Sequence, residues 1–165
     1  MKKGFTLIEL LVYIAIFSII IGVTVSFILW LVQSNVKAKV MRETMDNAER
    51  IMRTVTKELK EAKSIYSPTS SATQLSLETT RYLPDGESIS YIDFYLCESR
   101  FCFKKESQDP SYLTSDNVEI VNLVFTQIGA SSIKIDLTVD YMDIDGKPEY
   151  ISSISLSSTV SLRLH

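Results

Sequence analysis

The alternation of apolar and polar positions divides the chain into three stretches. The first is a run from Leu10 to Val32, 23 consecutive residues without a charge, and about 20 apolar residues suffice for a helix to cross a membrane. A soluble helix this apolar would have no polar face to present to water. The run is also longer than the roughly 7–15-residue apolar region of a cleaved secretory signal, and no small-residue cleavage site follows it. We therefore predict a membrane-spanning helix over residues 5–32 that stays with the protein.

The second stretch, residues 33–67, continues the same helix with one apolar side. No Pro or Gly interrupts it before Pro68, so we expect one helix from Phe5 to about Lys63. Apolar residues recur at steps of three and four positions, which is the helical period. They are Met41, Met45, Ala48, Met52, Val55, Leu59 and Ala62. A coiled coil is conceivable for such a stripe, but its methionines and alanines make a soft seam that favours packing against the C-terminal domain.

Charged residues surround this stripe at a spacing of four, which allows ion pairs along the helix. The candidate pairs are Asp46 with Arg50, Glu49 with Arg53, and Lys57 with Glu61.

The third stretch, residues 68–165, alternates with period two, which is typical of half-buried strands. About six strands are predicted: Leu75–Thr79, Ser88–Leu96, Phe101–Lys105, Val118–Ile128, Ile133–Tyr141 and Ile154–Leu164. Asp145-Gly146 lies between the last two and indicates a hairpin. Some 100 residues can bury a core only by sharing it with the helix. We therefore predict an α+β fold, a long N-terminal helix packed on a C-terminal antiparallel β-sheet head.

The charge distribution is uneven and bears on partners. Residues 33–63 carry a net charge of +3, whereas residues 64–165 carry seven basic and fourteen acidic side chains. One predicted hairpin combines basic and aromatic residues, as single-strand nucleic-acid sites do. These are Arg100, Phe101, Phe103, Lys104 and Lys105. The acidic head repels a phosphate backbone, so nucleic-acid binding is the less favoured interpretation.

Motifs for catalysis, cofactors or metals are weak. The chain has one histidine, His165, and no phosphate-binding glycine loop, so we predict neither an enzyme nor a bound cofactor. Asp143 and Asp145 resemble part of a calcium loop, but Tyr141 and Ser152 stand where further ligands would be needed. We favour a solvated hairpin tip there and predict no metal site.

Cys97 and Cys102 flank four residues within a predicted hairpin. A zinc site would need further ligands that the chain does not offer. Outside the membrane the compartment oxidises thiols. We therefore favour a disulfide between these two cysteines over a metal site.

The extreme N-terminus carries the most specific pattern, Lys2-Lys3-Gly4-Phe5-Thr6-Leu7-Ile8-Glu9, followed at once by the apolar run. It resembles the class III signal of type IV pilin-like proteins. The resemblance implies a leader over residues 1–4, cleavage by a prepilin peptidase between Gly4 and Phe5, and N-methylation of Phe5.

Glu9 is the single charged residue between Phe5 and Val32. A carboxylate inside such a helix costs about 2.5–3.5 kcal/mol on insertion scales and is normally partnered, unless it reaches the headgroups near Lys3. The resemblance supplies a partner, because cleavage at Gly4 creates an α-amino cation that Glu9 of a neighbouring subunit can neutralise. Glu9 is thus the expected assembly residue.

The helix from Ala48 to Ile65 also resembles that of minor pilins and of the J-type pseudopilin of type II secretion. The resemblance implies a filament subunit held in the bacterial inner membrane, with a cytoplasmic N-terminus and a periplasmic or extracellular head. Lys2 and Lys3 agree with that orientation, whereas Lys37, Lys39 and Arg42 oppose it. Expected partners are other pilins or pseudopilins, the prepilin peptidase and the assembly platform protein. The alternatives are a membrane-anchored periplasmic binding domain that never polymerises, and a DNA-uptake adaptor of a competence pilus.

Overall fold

A single helix, α1 (Leu7–Glu61), dominates the computed structural model, which describes residues 6–129, 131–142 and 146–163. Its 55 residues give a length of roughly 80 Å at about 1.5 Å per residue. The membrane stretch and the amphipathic stretch are therefore continuous, as the uninterrupted sequence predicts. Phe5, the predicted first residue, lies outside the described part of the chain.

The helix ends two residues before the predicted Lys63 because the sheet captures the chain there. Ala62 is already extended, with ψ of 147°, and the Lys63 N–H donates to the Glu78 carbonyl at 2.8 Å. The side chains of Lys63 and Ser64 both contact the Glu78 carboxylate, at 2.8 and 2.9 Å. These contacts replace the helical bonds well before Pro68.

The described head residues form two antiparallel sheets, where the sequence predicts one. The strands are β1 (Ser64–Ile65), β2 (Leu75–Thr79), β3 (Ser90–Cys97), β4 (Arg100–Lys105), β5 (Ser111–Tyr112), β6 (Val118–Ile128), β7 (Ser132–Tyr141) and β8 (Ser153–Ser161). One sheet has the order β1-β2-β3-β4-β5 and the other β6-β7-β8. The α+β architecture with a helix on antiparallel sheets is confirmed.

The six predicted strands all occur, two of them with the predicted bounds, and β1 and β5 are additional. Each of these two extra strands has two residues, too few to show a period. The predicted pairing of β7 with β8 is confirmed. Their connection is longer than a tight turn, because a 3₁₀ turn at Pro148–Tyr150 lies between them.

The head half of α1, residues 33–61, packs on both sheets along one face. This agrees with the prediction that the stripe packs against the C-terminal domain and does not form a coiled coil. Ile51, Val55 and Leu59 are fully buried, among the apolar residues of the strands. The predicted stripe is rotated at its membrane-proximal end, since Met41 is 57% exposed while Val40 is 3% exposed.

The rotation buries two polar residues, Thr44 and Asn47, which the apolar pattern passes over. The Thr44 hydroxyl donates to the Val40 carbonyl at 2.9 Å. The Asn47 side-chain oxygen accepts from the Ser115 N–H at 2.9 Å, and its amide donates to the Glu43 carbonyl at 2.8 Å. Because these bonds satisfy both groups, burial costs little, and α1 is tied to the loop before β6.

The ion pairs along α1 differ in part from those predicted. Glu49 and Arg53 pair at 2.6 Å as expected. Glu61 instead pairs with Arg81 of the β2–β3 loop, so the pair with Lys57 is not formed. Asp46 and Arg50 form no ion pair among the described residues.

Candidate functional site

Glu9 lies in the first turn of α1, on an exposed surface of apolar residues. Its backbone N–H donates to the Thr6 carbonyl at 3.1 Å. Thr6 is the N-cap, and Thr6 and Glu9 have the spacing of a capping box, yet the cap makes no side-chain hydrogen bond. No salt bridge within the described residues involves Glu9. Its carboxylate is therefore available to a cation from outside the described chain.

The membrane half of α1, residues 7–32, is apolar on every side, and the described residues of the head do not cover it. Large side chains there are 40–77% exposed, from Leu7 at 77% to Leu31 at 40%. This half of α1 is long and apolar enough to cross a membrane. In water such a surface would be strongly unfavourable, so it requires lipid or neighbouring helices.

The serine and threonine hydroxyls of this half form hydrogen bonds within the helix. The hydroxyls of Ser18, Thr24 and Ser26 donate to the carbonyls four residues back, at 2.8, 2.8 and 2.9 Å. A hydroxyl bonded in this way needs no water. Among the described residues of 7–32, Glu9 is thus the group whose charge calls for a partner.

The disulfide between Cys97 and Cys102 is confirmed, with a Cα–Cα distance of 5.7 Å. It crosses the β3–β4 hairpin diagonally, because Cys97 pairs with Arg100 and Cys102 pairs with Tyr95. The turn is tight, and Glu98 in it has a positive φ of 59°.

This hairpin also joins the two sheets. The Ile120 N–H of β6 donates to the Ser99 carbonyl at the hairpin tip, at 2.7 Å. The β6–β7 register shifts between Ile120 and Asn122, next to this contact. The disulfide thus stiffens the hairpin tip at which the five-stranded sheet contacts the three-stranded sheet.

The basic and aromatic residues of the hairpin do not form one open surface. Phe101 is fully buried in the core, and Phe103 stacks on Phe94 with ring centroids 5.2 Å apart. Arg100 pairs with Asp116 and lies over the Tyr112 ring, while Lys105 lies over the Tyr82 ring. The rings a nucleic acid would need for stacking are largely occupied, which weighs further against that interpretation.

The remaining sequence candidates fall partly outside what the structure describes. Gly4, Phe5, Asp143, Asp145 and His165 are outside the described residues. Within residues 6–129, 131–142 and 146–163, no group of three or more His, Cys, Asp or Glu side chains is arranged to hold a metal ion.

Sequence reasoning passed over a basic groove beside the last strand. Its volume is about 380 Å³, and α1 residues and Arg163, two positions past the end of β8, line it. Lys57 and Lys60 are exposed there, and neither forms an ion pair among the described residues. The sequence signal was the excess of basic residues over 33–63, but their placement depends on how Arg163 folds back onto the helix.

Comparison with known protein families identifies the N-terminus. Residues 1–25 match the family described as "Prokaryotic N-terminal methylation motif". This match includes Gly4, Phe5 and Glu9, and it supports the type IV pilin-like family predicted from the same residues. No curated protein and no solved structure matches the chain.

Proposed function

We propose that this chain, which carries the prepilin methylation motif of type IV pilin-like proteins, is a structural subunit of a type IV filament, either a minor pilin or a pseudopilin of type II secretion. Its role is mechanical, without catalysis or a cofactor. The chain is held in the bacterial inner membrane by the apolar half of α1, with the N-terminus cytoplasmic and the head periplasmic or extracellular. Removal of residues 1–4 then prepares it for assembly.

This proposal rests on two features that occur together at the start of α1, the methylation motif and a carboxylate, unpaired among the described residues, in an apolar helix. The methylation motif leads directly into an uncovered apolar half-helix whose carboxylate, Glu9, has no ion-pair partner among the described residues. Two desolvated opposite charges relieve each other's penalty when paired. The α-amino group of Phe5 on a neighbouring subunit is the partner we propose for Glu9.

The minor role rests on the head. The disulfide closes a short hairpin in the middle of the domain, whereas in many major pilins a disulfide ties down the C-terminus. The resemblance of the helix from Ala48 to Ile65 to that of minor pilins and of the J-type pseudopilin favours the same class.

Processing is tested by producing the chain with a prepilin peptidase, an assembly platform protein and a major pilin. Mass spectrometry of the membrane fraction should find an N-methylated Phe5 and no Met1–Gly4. Gly4→Arg should stay full length because a bulky charge occupies the cleavage position. A wild-type chain that keeps Met1 beside a correctly processed major pilin would contradict the proposal and favour a non-polymerising anchored binding domain.

Entry into filaments is tested in the same cells by shearing and sedimenting the filaments. The processed chain should sediment with them in a few copies per filament. A processed chain that remains wholly in the membrane would contradict the assembly role.

A further inference from the structure

The free edge of β8 (Ser153–Ser161) differs from every other sheet edge in the described residues. The five-stranded sheet ends in β1 and β5, which have two residues each. The outer edge of β6 is covered in part, since Phe125 donates to the Ala72 carbonyl and Ile120 to Ser99, both at 2.7 Å. β8 has nine residues and terminates its sheet. Long uncovered edges are rare because they recruit further strands.

The register identifies which backbone groups of β8 are left unpaired. Tyr141 donates to the Ser152 carbonyl at 2.9 Å, and Leu162 donates to the Ser131 carbonyl at 2.8 Å. Bonded pairs alternate in an antiparallel ladder, so residues 154, 156, 158 and 160 bond to β7. The N–H and C=O groups of residues 153, 155, 157, 159 and 161 therefore point away from the sheet, and no backbone hydrogen bond from another described segment meets them.

Side chains do not protect this edge either. The usual protective devices are charges, proline or a bulge, and β8, with the sequence SISLSSTVS, contains no charge and no proline. Its pairing with β7 runs without a register shift. The hydroxyls of Ser153, Ser155, Ser157 and Ser161 bond to side chains of β7, so they lie on the face of the sheet and leave the backbone edge uncovered.

The core is left open along the first part of this edge, although Val160 near the end of β8 is only 4% exposed. The four apolar residues of β7 that face α1 are 2% exposed or less. Their counterparts Ile154 and Leu156 on β8 are half-buried, and Ile151 just before the strand is 66% exposed. A further strand with apolar side chains would complete this burial.

The charges near the C-terminal end of β8 indicate which side chains an added strand would carry there. Beyond Ser161 lies the groove lined by Lys57, Lys60 and Arg163. Glu61 also lines this groove, but its carboxylate is paired with Arg81. An acidic side chain on an added strand would therefore find uncompensated positive charge there.

From these observations we infer that the β8 edge is a docking site for an extended strand of a neighbouring filament subunit. That strand carries apolar residues where it passes Ile154 and Leu156, and acidic residues where it meets Lys57, Lys60 and Arg163. This is strand addition to a sheet edge, in which the backbone supplies affinity and alternate side chains supply specificity. The inference rests on the proposed filament role for its partner, but the edge itself is testable without filaments.

Amide hydrogen exchange resolves the edge residue by residue. In detergent micelles, the full processed chain should exchange the amides of Ser155, Ser157 and Thr159 much faster than those of Leu156 and Ser158, which bond to β7. In assembled filaments the three outward amides should slow by about tenfold or more, as paired edge groups do. Normal entry into filaments with these amides still exchanging at the micelle rate would overturn the inference and leave the filament role intact.

Two proline variants separate docking from folding. Thr159→Pro removes an outward N–H, which an edge strand tolerates, so the head should melt normally while filament entry falls. Ser158→Pro removes an N–H that bonds to β7, so the head itself should lose stability. Normal entry of Thr159→Pro into filaments would contradict strand addition.

A synthetic nonapeptide of alternating threonine and valine, ending in two glutamates, tests the edge in micelles. It should protect the outward amides, and bind about threefold more tightly than the same peptide ending in two lysines, as opposite-charge cross-strand pairs do. Arg163→Glu should weaken that preference, because Lys57 and Lys60 remain. If neither peptide protects the outward amides, the edge is not a docking site, whether or not the chain enters filaments.

Discussion

The two halves of α1 share one backbone but satisfy opposite requirements. In the membrane half, large apolar side chains are 40–77% exposed on every face, and nothing in the described chain covers them. In the head half, Ile51, Val55 and Leu59 are fully buried and the other face is charged. The first half needs neighbours outside the protomer, whereas the second completes the head's own core. Assembly and folding should therefore respond to different substitutions in the same helix.

The largest expected effect is on assembly and comes from Glu9→Ala. Removing one partner of a buried ion pair costs about 3–5 kcal/mol, so entry into sheared filaments should fall by about a hundredfold or more, as measured by immunoblotting. Cleavage at Gly4 and the melting temperature of the head should not change. Glu49→Ala is the matched control, because Glu49 is on the exposed face of the head half. Normal filament entry of processed Glu9→Ala would contradict the proposed pairing.

The head half should show the converse behaviour with Leu59→Ala. Truncating a fully buried leucine lowers the free energy of unfolding by about 2–5 kcal/mol, which urea unfolding followed by circular dichroism in micelles would measure. Leu29→Ala, at a position 59% exposed in the membrane half, should leave that value unchanged. Equal losses for the two variants would mean that the halves are not independent.

The sequence predicted the parts of this comparison that depend on local pattern. The long helix follows from an uninterrupted period, and Leu75–Thr79 and Val118–Ile128 occur with their predicted bounds because alternation marks half-buried strands. It could not predict where α1 ends, because the Lys63 N–H and side chain bind Glu78, fifteen residues away. The division into two sheets and the basic groove likewise depend on contacts between distant segments.

The functional and structural residues likewise divide into those with a local sequence signal and those without one. Gly4, Phe5 and Glu9 stand in a contiguous motif that residues 1–25 match, and their roles in cleavage, methylation and assembly stay predictions. The cysteine pair was predicted from its position in a hairpin and is confirmed. Asn47 was missed because an isolated polar residue in an amphipathic helix shows no period. Its value to the fold comes from Ser115, 68 positions later.

Loss of the disulfide should have the next largest effect on the head. The double variant Cys97→Ser/Cys102→Ser should lower the free energy of unfolding by about 2 kcal/mol, the chain-entropy value for so short a loop. The effect should be concentrated at the hairpin tip, where the Ser99 carbonyl meets β6. Wild-type protein under reducing conditions is the control and should lose the same amount. Hydrogen exchange at Ile120 should accelerate in both cases; unchanged exchange there would contradict the role assigned to the joint.

Asn47→Ala tests whether the buried polar contact ties the head half to the loop before β6. It leaves the Ser115 N–H without its acceptor. An unsatisfied donor costs about 1–3 kcal/mol when buried, and because Ser115 is half-buried we expect a loss of stability at the lower end, about 1 kcal/mol. Asn35→Ala, at an exposed position of the same helix, should leave the head's stability unchanged. If the two alanine variants unfold at the same urea concentration, Asn47 contributes nothing to the tie.

The smallest effect is expected at the end of α1, where Lys63 and Ser64 bind Glu78. Hydrogen bonds from these two side chains hold the pKa of the Glu78 carboxyl below its usual value. Because the folded-state pKa is lowered, the carboxylate stabilises the fold above its unfolded pKa of about 4.5, and this contribution is lost as the pH falls through the folded-state pKa. Glu78→Gln should therefore be less stable than wild type at pH 7, by less than about 1 kcal/mol because the pair is partly exposed. The difference should vanish in acid. Glu87→Gln, in the exposed β2–β3 loop, should parallel wild type at every pH. A pH-independent loss for Glu78→Gln would mean that packing, and not charge, secures this end of the helix to the sheet.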